Sequence, residues 1–120
     1  MNRAFSALLV LACLTLGFPV QAHTKLSAIV PGDEEVLHQP PEALRLTYSG
    51  TVFPLKVTLT NASGEEIDFD FQPSANASSQ FNWSLPPLDA GRYRVAWQVM
   101  GQDGHKMSGE SHFELKPAGQ

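Results

Sequence analysis

Apolar side chains recur at every second residue along most of this chain, and a period of two rather than 3.6 decides what it can fold into. Tyr93, Val95, Trp97 and Val99 form the longest such run. Leu44, Leu46 and Tyr48 alternate with Arg45 and Thr47, and Leu55, Val57 and Leu59 repeat the pattern after Ser49-Gly50. Ile67, Phe69 and Phe71 alternate with Asp68 and Asp70, while Phe81, Trp83 and Leu85 continue it. With a short edge strand at Leu26–Val30 and a closing one at Ser111–Leu115, that makes seven runs. Each is a half-buried strand, one face apolar and one polar. Pro31-Gly32, Asn61 to Gly64, Pro86-Pro87 and Gly101 to Gly109 supply the turns between them. No helical periodicity follows residue 22, so an all-β, immunoglobulin-like sandwich is expected rather than a barrel. Leu88, Gly91 and Tyr93 resemble a tyrosine corner, in which the phenol hydroxyl bonds back to the crossover backbone.

Residues 1–22 have a different character. Arg3, an apolar run from Phe5 to Leu16, and small Ala22 with Val20 two residues upstream describe a signal peptide cut after Ala22. The apolar run is too short for a membrane span. Cleavage leaves one domain, residues 23–120, and removes Cys13, the only cysteine. Disulfides, thiolate ligands and dithiol redox chemistry are thereby excluded. The cut also removes Arg3, one of eight basic side chains, and none of the twelve acidic ones. An acidic domain without a basic patch does not suit nucleic acid but does attract cations.

The cut would leave His23 as the first residue, with a free α-amine beside its imidazole. Those two nitrogens close a chelate ring on one ion. The amine proton, with a pKa near ~7.7–8.0, yields only to a strong Lewis acid, and copper(II) heads the divalent order and accepts nitrogen and oxygen donors. Asp103 and His105 lie two apart on a turn eased by Gly104, so a carboxylate oxygen and a second imidazole can converge on the same ion. Copper(I) prefers sulfur, which this donor set lacks. His23, Asp103 and His105 are therefore the expected metal ligands, with no catalytic nucleophile–base pair beside them. His38 and His112 read as solvated surface, and Asp33-Glu34-Glu35 either as a hydrated turn or as negative field near the metal site. Met100 reads as locally packed and Met107 as half exposed.

Several stretches resemble one family. They are His23-Thr24-Lys25-Leu26, Pro40-Pro41 before Leu44-Arg45-Leu46-Thr47-Tyr48, Leu88 to Trp97, and Asp103-Gly104-His105-Lys106-Met107-Ser108-Gly109 followed by Phe113. Together they are similar to the CopC family of periplasmic copper-binding proteins. The resemblance implies a seven-stranded Greek-key sandwich that holds copper(II) through the terminal histidine, an aspartate and a second histidine, here His23, Asp103 and His105. It also implies a role in copper resistance or homeostasis, beside a CopD-type inner-membrane partner. A non-enzymatic, monomeric copper carrier or buffer in the periplasm is the resulting expectation. Some members carry a methionine-rich loop for copper(I), but Thr60 to Ser84 contains no methionine. Two other readings stand beside this one. The donor set also resembles the histidine brace of copper-dependent polysaccharide oxidases, and a metal-free sandwich could serve in export or adhesion.

Overall fold

A computed structural model describes residues 24–118. Seven strands and no helix make up the described chain: β1 (Leu26–Val30), β2 (Glu35–Leu37), β3 (Ala43–Asn61), β4 (Glu66–Ile67), β5 (Ser78–Ser84), β6 (Gly91–Gly101) and β7 (Lys106–Leu115). The architecture is the all-β sandwich expected from the alternation.

The count of seven conceals several differences from the sequence reading, the simplest being that β7 begins at Lys106 rather than Ser111, so most of the expected Gly101–Gly109 turn is strand. Ser49-Gly50 does not end a strand, because β3 runs through it for 19 residues. Its first half, Ala43 to Tyr48, pairs with β1 and β5, and its second half, Val52 to Asn61, pairs with β6 and β4. Register shifts between Thr47 and Val52 and between Pro54 and Lys56 let one strand serve both layers. Pro54, which has no N–H to give, sits at the second of these irregularities.

The run Ile67-Phe69-Phe71 is paired only at Glu66–Ile67. Asp68 Oδ1 accepts the Asp70 N–H at 2.9 Å, and Asp70 adopts a left-handed φ of 66°, so the ladder ends there. Period two nonetheless describes the packing, since Phe69 is buried and the rings of Phe69 and Phe71 meet Trp83 edge-on at 6.1 and 5.6 Å.

The strand that sequence missed is β2. Its three residues pair in parallel with β7, Glu35 opposite Phe113 and Leu37 opposite Leu115. β7 then pairs antiparallel with β6, and β6 with β3.

One core unites the two layers. Leu44, Leu46 and Tyr48 from the first half of β3 join Val57, Leu59, Val95, Val99, Phe113 and Leu115. Tyr93 stacks on Phe113 at 5.2 Å, and its hydroxyl donates to the Asp89 carbonyl at 2.5 Å, which is the tyrosine corner expected from Leu88, Gly91 and Tyr93. Across the β6–β7 ladder Trp97 lies over Gly109, where a Cβ would sit 2.5 Å from the indole. A side chain at 109 therefore has to displace Trp97.

Tyr48 is an exception to well-satisfied burial. Its side chain is 4% exposed and, among the described residues, its hydroxyl has no hydrogen-bond partner. Burial also pushes the phenol's ionisation well up, so the group stays neutral. A desolvated, unpartnered hydroxyl costs about 1–3 kcal/mol. Tyr48→Phe keeps the ring that packs edge-on against Phe81 at 6.2 Å and removes only that cost. Chemical denaturation is expected to find the variant as stable as the parent or more so.

Candidate metal centre

Gly101 ends β6 in a buried position, and the chain returns as β7 at Lys106. Gly101 N–H donates to the His105 carbonyl at 2.9 Å, and Gly104 N–H to the Gly101 carbonyl at 3.0 Å. Gly104 takes φ of 86°, a left-handed value that glycine adopts without the Cβ penalty. Asp103 folds back into this turn. A Cβ on Gly101 would lie 2.8 Å from Asp103 Oδ1, so the bare Cα leaves room for the carboxylate.

The turn brings Asp103 and His105 together. His105 N–H donates to Asp103 Oδ1 at 3.1 Å, and His105 Nδ1 lies 2.8 Å from Asp103 Oδ2. Both side chains face solvent, His105 at 85% exposure and Asp103 at 56%. Two donors bonded to one first-row ion at about 2.0 Å and a right angle stand roughly 2.8 Å apart. A metal held by both would have to take the place of the proton that the pair shares, with the two exposed side chains turned to face it.

The same contacts set the protonation of the pair. Hydrogen bonds from the His105 ring and then from its backbone N–H hold the Asp103 carboxyl below its ordinary 3.8. The hydrogen bond and charge of Asp103 hold the His105 imidazole above its ordinary 6.5. Asp103's contribution to stability is present above 3.8 and lost as pH falls through its lowered folded-state value. That of His105 is present below 6.5 and lost as pH rises through its raised one. The ion pair is therefore fully formed between those two ordinary values. Asp103→Asn is expected to return His105 to an ordinary titration midpoint, read from its ring-proton NMR shift against pH. An unmoved midpoint would contradict the pairing.

His23 lies outside the described residues. Its neighbour Thr24 is described and packs against Gly50 of β3. Two residues further along β3, Val52 is in register with Gly101. Gly50 and Val52 are two strand steps of about 3.4 Å apart, so Thr24 and the head of the turn both border the same short stretch of β3.

Sequence reasoning missed a second group. Asp33, Glu34 and His112 each bring a donor atom within 4.8 Å of the others, about seven strand residues or roughly 24 Å along β7 from His105. They therefore add no local negative field at the Asp103 turn. The donors in this group are already engaged. Glu34 accepts Arg92 Nη2 on both oxygens at 2.8 and 3.1 Å, and Asp33 Oδ1 accepts Ser111 Oγ at 3.2 Å and His112 N–H at 3.0 Å. With Glu34 N–H donating to the His112 carbonyl, the group ties the turn before β2 to β6 and β7. His38 is exposed, as expected, and its Nδ1 lies 3.0 Å from the Lys116 carbonyl. Met107 is half-buried against the core.

Comparisons with known proteins converge on one family. The CopC domain model matches residues 26–116. The chain is 27% identical to copper resistance protein C of Escherichia coli, covering 84% of this chain and 87% of the relative. It is 28% identical to copper resistance protein C of Xanthomonas campestris pv. juglandis, over 79% and 81% of the two chains. Among solved structures, CopC from Methylosinus trichosporium OB3b superposes with a TM-score of 0.70 at 22% identity, covering 82% of this chain and 98% of that one. PcoC from E. coli, described as a methionine-rich copper resistance protein, superposes with a TM-score of 0.65 at 26% identity, over 79% and 100%. The domain match over most of the chain, the shared sandwich and the curated relatives agree: this protein belongs to the CopC family.

Proposed function

We propose that this protein is a periplasmic copper(II) carrier or buffer, and that it does not act as an enzyme. In this reading export removes residues 1–22, and the ion is held by the amine and imidazole of His23, the imidazole of His105 and a carboxylate oxygen of Asp103. The observation that carries it is the Asp103–His105 pair. Its two donors stand 2.8 Å apart and open to solvent, at the end of the sandwich where Thr24 is held against β3. An exposed pair suits a cargo that must be taken up and released. Copper is the ion because the chain's relatives are named for resistance to it, and the divalent state follows from nitrogen and oxygen donors.

Copper must displace the proton that Asp103 helps His105 to keep, so affinity rises with pH through a window that extends above 6.5. Handover to a CopD-type inner-membrane protein, by a monomeric carrier, completes the proposal. No helix among the described residues is long and apolar enough to cross a membrane. The test is titration of the processed protein with copper(II), followed by EPR. Binding no tighter than that of a His23→Ala, His105→Ala double variant rejects the proposal.

A further inference from the structure

Thr24 and Lys25, which lead into β1, are held on β3 by more than strand pairing. Ser49 N–H donates to the Lys25 carbonyl at 2.8 Å, an ordinary ladder bond. The reciprocal donor, Lys25 N–H, is taken at 2.9 Å by the Ser49 side chain, Oγ. One residue earlier, Thr24 lies directly on Gly50, where a Cβ would stand 2.8 Å from Thr24 Oγ1 and 3.5 Å from Cγ2. Gly50 does not take a left-handed φ, so backbone conformation gives no reason for a glycine there. A Cβ there would instead have to push the Thr24 hydroxyl aside. On the other side, Ser27 Oγ donates to the Thr47 carbonyl at 3.1 Å, where the β1–β3 register shifts between Leu26 and Ala28.

A segment leading into an edge strand is where fraying normally concentrates. Here Thr47 holds Ser27 just inside β1, and two further contacts fasten the segment itself, at Ser49 and Gly50. The last lies two residues from Val52, the partner of Gly101.

We propose that Ser49 and Gly50 are positioning residues for the copper site: they seat the segment that follows His23 beside the β6–β7 turn, so that its two nitrogens meet Asp103 and His105. The inference rests on the copper(II) reading above. Its physical content is preorganisation, since a terminus already seated loses less conformational freedom when the ion binds.

The test is a competition titration with copper(II) in proteins that begin at His23, and in matched proteins carrying one added residue ahead of it. Gly50→Ala is expected to weaken binding at least tenfold, and Ser49→Ala at least threefold, each with an altered copper EPR spectrum. In the extended background, where the amine no longer belongs to the chelate, the same substitutions are expected to change affinity less than twofold. Ser49 is exposed, so Ser49→Ala carries the test if Gly50→Ala fails to fold. If both variants bind within twofold of the parent while the extension weakens binding, the positioning role is wrong and the copper site stands. Equal losses in both backgrounds mean a general structural effect, which also overturns it. If the extension itself changes nothing, the copper reading fails and this inference with it.

Discussion

One residue added ahead of His23 is expected to lower copper(II) affinity by more than about 100-fold, beyond the roughly 10–100-fold that losing a partner of a ligand usually costs. The addition leaves every side chain in place, including Asp103 and His105, which face solvent on their turn. What it changes is the place of the amine, which moves away from the imidazole it would chelate with. The loss exceeds that of one donor, because a chelate broken at one end loses the second donor's proximity as well. Competition against a chromophoric copper chelator measures the change directly. An extended protein that binds within threefold of the natural terminus would show that the amine is not a ligand. The side chains would then have to hold the ion alone, and His105→Ala would become the stronger lesion.

The largest expected effect on the fold is at Phe113, far from that turn. Phe113 is 1% exposed, stacks on Tyr93 at 5.2 Å, and stands in register with Tyr93 of β6 on one side and Glu35 of β2 on the other. Phe113→Ala opens a cavity where three strands meet and is expected to cost about 3–5 kcal/mol, a large share of the roughly 5–15 kcal/mol that holds a domain together. No disulfide offsets that loss, because the only cysteine is Cys13, ahead of the described domain. Denaturant unfolding should show the midpoint falling with the slope unchanged, and the melting temperature dropping by more than about 10 °C. A loss below about 1 kcal/mol would mean that Phe113 is not central to the core, on the scale seen for truncating buried aromatics.

What sequence revealed of this molecule was its local chemistry. Alternation placed Leu44, Leu46, Tyr48, Val95 and Val99 in the core because in a strand one residue in two faces inward, and all five are buried. The same rule overreached at Phe69 and Phe71, whose burial follows the alternation although Asp68 and Asp70 end the ladder before them. Nothing local could have shown that Ser49-Gly50 lies inside a strand, since its role depends on Thr24 and Lys25 lying across from it. β2 was hidden for a like reason: three residues pairing in parallel with a strand near the other end of the chain leave no periodic trace.

The candidate site divides along the same line. Asp103 and His105 are two residues apart, so their convergence follows from one turn and its left-handed Gly104. The fastening of Lys25 to Ser49, and of Asp33 and Glu34 to His112 and Arg92, joins segments 24 to 79 residues apart. Such pairings are properties of topology, which composition and spacing do not encode.

The copper assignment is most directly tested by a crystal structure of the processed, copper(II)-loaded protein with anomalous data at the copper edge. The account predicts one ion bonded to the amine and imidazole of His23, a ring nitrogen of His105 and an oxygen of Asp103. An ion found instead among Asp33, Glu34 and His112, with Arg92 turned away, or bound at the β6–β7 turn without the terminal amine, would contradict it.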